Sequence, residues 1–291
     1  MKPMDRKNYI LGHHLVAFLD VLGQRERFRE LQLPNTPEDH GRVEQVLKDT
    51  AGFVSDLRDS FRSQFEAFAA GIATGPLRGQ GSVRPRLIGF SDSFVASVPL
   101  RNDKEDLIPI VSVFSALFAA SILMLISLDS KHALRGGIDV GLATEIAAGE
   151  IYGTALERAY LLECQRAKYP RILIGDNLWS YLSAALLEFG KSTMPSTKAA
   201  KAIVQKMMGL VSTDTDGERI LDYLGPVVAE LMNPQEAKKM VQPAYDFILT
   251  EQQRLFSTGD AKLSERYGLL RQYFESRLPQ HGLHAHPEVG N

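Results

Sequence analysis

The chain has 291 residues, with 33 Lys and Arg against 35 Asp and Glu, a net charge of −2. That balance excludes a general polyanion binder, which carries basic excess, and 44% apolar against 23% charged residues is the mix of a globular protein rather than a disordered one. At roughly 150 residues per domain the length allows one or two domains, and the single cysteine, Cys164, excludes an internal disulfide and fits a reducing, cytoplasmic setting.

In chain order, 9–23 (YILGHHLVAFLDVLG) reads as a strand turning at Gly23. Its apolar part, Leu15 to Leu22, is short, contains Asp20 and lacks a small-residue cleavage pattern, so it is not read as a secretory signal. Pro34, Asn35 and Pro37 mark a loop. Residues 38–70 carry Val43, Val46, Leu47, Phe53, Val54, Leu57, Phe61, Phe65 and Phe68 at helical spacing, which predicts one long helix or two abutting ones with Gly52 as the weak point. Residues 71–82 are a glycine-rich loop, and 83–98 read as two strands around a turn at Phe90–Ser93.

Leu107 to Leu128 is a run of 22 residues without a charge. It is long enough to span a bilayer. Four serines and a proline dilute it, acidic residues flank it at Asp103, Glu105, Asp106 and Asp129, and no positive-inside asymmetry is visible. The reading is a helix buried in protein. Strands follow at 133–143 and 171–175, with helices at 153–168, 176–189 and 191–209. Residues 214–224 hold a turn at Asp216-Gly217 and a short strand, and 234–278 two helical stretches broken at 257–260. The expected fold class is α+β, a β-α-β-β-α-β-α-β-α sandwich with a mixed or antiparallel sheet. The expected division is a catalytic unit at 1–225, a helical C-terminal extension at 226–279 and a mobile tail at 280–291, which contains His281, His284 and His286.

Two carboxylates carry the chemistry. Asp20 follows the apolar run Leu15–Leu19, and Asp92 sits in a hairpin turn. A buried carboxylate is costly unless it is paired or ligates a metal. Each alone reads as a turn cap; together, at strand ends, they read as an oxygen-ligand site for Mg²⁺ or Mn²⁺, which serve phosphoryl and nucleotidyl transfer. Arg135-Gly136-Gly137 is a glycine pair in an apolar strand rather than an RGG box, and it is not a GGDEF motif. There is no GxxxxGK[ST] loop, no GxSxG and no CxxC. His13 and His14 are adjacent in a strand and face opposite ways.

These residues resemble a family. Phe18-Leu19-Asp20-Val21-Leu22-Gly23 is similar to the first metal motif of class III nucleotidyl cyclases, and Phe90-Ser91-Asp92-Ser93 to the second. Arg135-Gly136-Gly137-Ile138-Asp139-Val140-Gly141 resembles their RxGIxxG strand, and Gly149 to Gly153 followed by ALERAYLLE resembles their strand-to-helix motif. The order matches across about 10–225. The wording FSDS, RGGI, IYGxAL and YPRI is most similar to the pyrimidine cyclases of bacterial Pycsar antiphage systems.

The resemblance implies two Mn²⁺ or Mg²⁺ ions per active site, held by Asp20, Asp92 and the Val21 carbonyl. It implies that main-chain N–H groups from Gly23 through Gln24 to Arg25 cradle phosphates, and that sites form between two copies of the chain. Two departures stand out. Where the family has an asparagine and, four residues on, an arginine, this chain has Glu157 and Leu161. Arg158 lies three residues before Leu161 on a similar helix face and is the substitute for transition-state stabilisation. A late Lys-Gly strand for the triphosphate is missing, which leaves Arg25 or Arg135 for that duty. Arg86, Glu150 and Glu157 are the further candidates for nucleotide contacts.

The expectation is a cytoplasmic homodimer with shared sites that turns UTP into 3′,5′-cyclic UMP and pyrophosphate. The product would be an antiviral signal read by a separate cyclic-nucleotide-responsive effector. Neither nucleic acid nor a membrane is an expected partner. CTP as substrate, a purine cyclase, and a degenerate domain that senses nucleotides without turnover are the open alternatives.

Overall fold

The strand Gly12–Val21 (β1) is buried on both faces over most of its length, as a near-continuous apolar run in the middle of a sheet requires. In the computed structural model, which describes residues 11–24, 31–72, 77, 83–100, 109–147, 149–191 and 194–285, β1 pairs antiparallel with Ser93–Pro99 (β3) on one side and with Leu134–Ala147 (β4) on the other. Arg86–Phe90 (β2) closes one edge against β3. Glu150–Tyr152 (β5) folds back on the end of β4. Ile172–Ile174 (β6) runs parallel to β4, and Val211–Thr213 (β7) with Arg219–Leu221 (β8) completes the order β2-β3-β1-β4-β6-β8-β7. The architecture is α+β with a mixed sheet. β7 pairs across the Asp216-Gly217 turn, so a hairpin stands where a single strand was expected.

The period of two in β1 sorts its side chains. Leu15, Ala17, Leu19 and Val21 join the main core. After the helix Pro37–Leu47 (α1), which buries none of its residues, Phe53–Ile72 (α2) and Ile110–Asp129 (α3) lie over that core. Thr36 and Asp39 form a capping box at the start of α1. The expected weak point at Gly52 is a π-helical turn, Lys48–Gly52, that joins α1 to α2. α3 is long and apolar enough to cross a membrane, and 94% of its most apolar window is buried in protein. Its serines are satisfied: Ser115 and Ser121 donate to carbonyls one turn back at 2.8 and 3.0 Å, and Ser112 accepts from the Val83 N–H at 2.7 Å.

Val16 and Phe18 point to the other face and pack with Val95, Ala143, Ala155 and Ala159. There Thr154–Leu161 (α4) crosses β4 closely, because Gly137 has no Cβ to strike the Ala159 carbonyl and the Leu162 side chain. The helix expected over 153–168 ends earlier as an α-helix and continues as a π-helical turn, Leu162–Arg166. Asp176–Gly190 (α5) and Pro195–Gly209 (α6) follow.

The helices Pro226–Leu231 (α7), Pro234–Ser257 (α8) and Ala261–Arg277 (α9) form the C-terminal region. Val241, Ala244, Tyr245 and Ile248 of α8 and Phe274 of α9 belong to the same core as the sheet. Asp222 anchors α9: it accepts from the Tyr273 hydroxyl at 2.9 Å and from Arg277 at 3.0 Å. Part of the segment read as tail carries regular structure. Leu278–His281 forms a 3₁₀ turn, and His281 is buried with Nε2 3.0 Å from the Leu224 carbonyl. His286 lies outside the described residues.

Candidate active site

Asp20 ends β1, and Asp92 lies in the β2–β3 turn, where Ser91 takes a left-handed φ of 54°. A main-chain hydrogen bond joins the two segments: the Val21 N–H donates to the Asp92 carbonyl at 3.0 Å. The sheet register places Ser93 opposite Asp20 on β3, and the Ser93 hydroxyl donates to Asp20 Oδ1 at 2.6 Å. On β4 the residue opposite Asp20 is Arg135. The structure thus brings Asp20, Val21 and Asp92 to one end of one sheet.

Asp20 shares its face of β1 with Phe18, and that face is not fully covered by α4. Beyond Phe18 opens a groove of about 860 Å³ lined by Phe18, Ile88, Phe90, Tyr152 and Tyr160, with Glu150 and Glu157 as its charged groups. Phe90 and Tyr152 are each 70% exposed and Tyr160 is 47% exposed. Side chains of this size clustered in the open mark a binding or association surface. Phe90, Ile88 and Arg86 pair with Ser93, Val95 and Ser97 and share one face, as their spacing predicts. Arg86 is not part of the groove wall. It is 63% exposed and its Nε donates to Glu145 at 3.1 Å.

The remaining predicted cations sit apart. Arg135 closes on Glu163 with its Nε at 2.6 Å and its Nη2 at 2.5 Å. Arg158 lies in a separate concavity of about 360 Å³ with Asp139, Leu161, Asp176 and Asn177. It shares that wall with Leu161, but within one chain it does not join Asp20 and Asp92. Its charge acts on Asp139, whose carboxyl is pushed up by burial and held back by the N–H groups of Val140 and Leu178 and by Arg158. Arg25 lies outside the described residues.

Gly23 follows Asp20 in an exposed turn at φ 82°, a conformation that glycine takes without steric cost. The Gln24 side chain is buried and lines a different cavity, of about 560 Å³, against Phe247, Arg254 and Tyr267 of the C-terminal helices. Only its main-chain N–H is left as a candidate for a phosphate.

The donor set has a definite chemistry. Among the described residues no three His, Cys, Asp or Glu side chains converge as a metal cage. Two carboxylates beside a main-chain turn fit Mg²⁺ or Mn²⁺, whose other ligands are then waters and substrate phosphate oxygens. Ser93 and Glu163 were missed as site residues. Ser93 was readable from the hairpin, since a residue just after the turn must pair with the strand end carrying Asp20; Glu163 had no such signal, because its approach depends on a π-helical turn.

No protein-family profile matches the chain, and no curated protein sequence does. Two solved structures from Pseudomonas aeruginosa are similar to it. The adenylyl cyclase CyaB is 15% identical with a TM-score of 0.39, over 60% of this chain and 83% of that one. A class III adenylyl cyclase-like ATP-binding protein is 12% identical with a TM-score of 0.37, over 69% of this chain and 44% of that one. These likenesses are remote, and the chemistry below is read from the chain's own residues.

Proposed function

We propose that the chain is a nucleotidyl cyclase that converts a pyrimidine nucleoside triphosphate, UTP before CTP, into its 3′,5′-cyclic monophosphate and pyrophosphate. One observation carries the reading: Asp20 and Asp92 meet at one end of the sheet through the Val21–Asp92 hydrogen bond, beside an open groove on the face that Asp20 shares. Asp20, Asp92 and the Val21 carbonyl would hold Mg²⁺ or Mn²⁺. When bound, such ions polarise phosphoryl oxygens and lower the pKa of a coordinated hydroxyl. Ser93 fixes one oxygen of Asp20, so the carboxylate is oriented before any cation arrives. The exposed turn at Gly23 lets main-chain N–H groups approach a triphosphate. In the reaction the 3′-oxygen bonds to the α-phosphorus, the bond to the β-phosphate oxygen breaks, pyrophosphate leaves and the 3′-hydroxyl proton is released.

The exposed aromatic groove is the proposed contact with a second copy of the chain. This completes the site, because Glu157 and Arg158 do not reach Asp20 and Asp92 within one copy. The pyrimidine preference, the antiviral role and the separate effector rest on the sequence resemblance. Incubating the protein with each of the four nucleoside triphosphates and Mn²⁺, with products identified by mass, tests the reading. Cyclic UMP supports it; a purine product corrects the base; no product from any triphosphate overturns it.

A further inference from the structure

The turn Leu22–Gln24 and the C-terminal helices enclose between them the cavity of about 560 Å³. Leu22 and Gln24 line one side, and Phe247 and Leu255 of α8 with Leu263 and Tyr267 of α9 line the other. That size is in the range of small-molecule pockets, which are apolar with a few convergent polar groups. The Gln24 side chain is 2% exposed, and its Oε1 has no hydrogen-bond partner. A buried amide oxygen left unpaired is costly, and native proteins rarely keep one. Across the cavity, the Tyr267 hydroxyl makes no hydrogen bond among the described residues. Burial pushes its pKa up and Glu251 adds to the rise, so the hydroxyl keeps its proton and is able to donate.

These groups define a ligand. A primary amide offers a donor beside an acceptor, and the edge of a nucleobase answers it with two hydrogen bonds. Phe247 and Tyr267 stand edge to face with ring centroids 6.2 Å apart, which fixes the orientation of both rings. A flat base packs well on such side chains. The charges of the cavity leave a positive remainder. Glu251 is matched by Arg254, whose Nε and Nη2 lie 2.8 and 2.6 Å from its oxygens. Lys131 also lines the cavity, is exposed, and forms no ion pair among the described residues. An ammonium in that position suits a phosphate.

We propose that this cavity binds a mononucleotide, with its base edge on the Gln24 amide and the Tyr267 hydroxyl and its phosphate toward Lys131. The site is separate from the groove of Phe90 and Tyr152, and it stands whether or not the chain is a cyclase. Because one of its walls is the turn that follows Asp20, a bound nucleotide joins that turn to α8 and α9.

The test is calorimetric binding of UMP and of AMP to the full chain, in EDTA and without added metal. The variants are Gln24→Leu, Tyr267→Phe and Asp92→Asn. Expected are binding of at least one of the two nucleotides by the wild type, affinity lower by about tenfold in Gln24→Leu and about fivefold in Tyr267→Phe, and wild-type affinity in Asp92→Asn. No binding of either nucleotide overturns the inference, since the Gln24 amide then meets water alone, and it leaves the cyclase reading untouched. Wild-type affinity in Gln24→Leu or in Tyr267→Phe overturns it as well. So does loss of binding in Asp92→Asn, which places the nucleotide at the two carboxylates instead. If Gln24→Leu does not fold, Tyr267→Phe decides: weaker binding supports the inference, and unchanged binding overturns it.

Discussion

Asp92 is tied to Val21 by its main-chain carbonyl, at 3.0 Å from the Val21 N–H. The side chain of Asp92 is no part of that tie. A substitution there removes a carboxylate and leaves the junction of β1 with the β2–β3 turn standing. The same residue thus serves the fold with its main-chain carbonyl, while its carboxylate is a separate group on which the proposed chemistry draws.

Asp92→Ala is therefore expected to keep the wild-type melting temperature within a few degrees and to lose turnover by on the order of 10³-fold or more, the scale of losing a transition-state charge stabiliser. Asp20→Ala loses turnover to the same extent and leaves the buried Ser93 hydroxyl without the carboxylate that accepts from it, at a cost of about 1 kcal/mol. Cyclisation assays at saturating Mn²⁺ with parallel thermal melts check both. Near-normal rates in either variant would remove the metal pair from the mechanism.

The exposed groove predicts association. Phe90→Ser and Tyr152→Ser each remove a side chain that is 70% exposed, so neither substitution costs core packing. Both are expected to shift the protein toward monomer in sedimentation and to lose activity in parallel, with the melting profile of the isolated chain unchanged. Mixing an inactive Asp20→Ala chain with an inactive Arg158→Ala chain should then restore part of the activity. Full turnover from a demonstrable monomer contradicts this arrangement.

Much of the fold was legible because its signals are local. The apolar run before Asp20, the turn at Phe90–Ser93 and the break at Ser257–Asp260 all fall where the elements change. The two aspartates were read as a pair because each stands at a strand end beside small turn residues. What escaped depends on distant partners. His281 read as a tail residue by its polar neighbours, but the Leu224 carbonyl on another segment holds it in place. Arg135 read as a candidate phosphate ligand because a late Lys-Gly strand is missing, and only the π-helical turn after α4 brings Glu163 to it.

The anchor of the C-terminal helices has its own pH signature. Asp222→Ala strands Arg277 and the buried Tyr273 hydroxyl, and breaking a largely buried pair costs about 3–5 kcal/mol. His281 adds a proton linkage. Burial holds its pKa below the model-peptide value of 6.5. Above that value both folded and unfolded chains carry it neutral, and it adds no pH dependence. Below it the unfolded chain takes up a proton that the folded chain refuses, so stability falls as pH drops toward the folded pKa. His14, also lowered by burial, acts in the same direction. Urea melts at pH 7.5 and 5.5 should show a loss that shrinks in His281→Gln; an unchanged loss would assign the linkage elsewhere.

The last prediction concerns the base. Arg86 was expected to read it, since a guanidinium offers only donors, suits the O4 carbonyl of uracil and opposes the exocyclic amine of cytosine. Arg86 does share the face of Ile88 and Phe90, but it is held by Glu145 at 3.1 Å. The pair is largely exposed, so its attraction is weak, about 1 kcal/mol or less, and Arg86 can exchange Glu145 for a base at little cost. Two opposite effects follow. Glu145→Gln leaves Arg86 in place and uncommitted, so kcat/KM for UTP rises by a few-fold at most. Arg86→Ala and Arg86→Glu remove the donor, and the ratio of kcat/KM for UTP to that for CTP falls, furthest in Arg86→Glu, whose carboxylate accepts from the cytosine amine. If the ratio is the same in wild type, Arg86→Ala and Arg86→Glu, Arg86 serves Glu145 alone, and base selection moves to Glu150 and Glu157 along the groove.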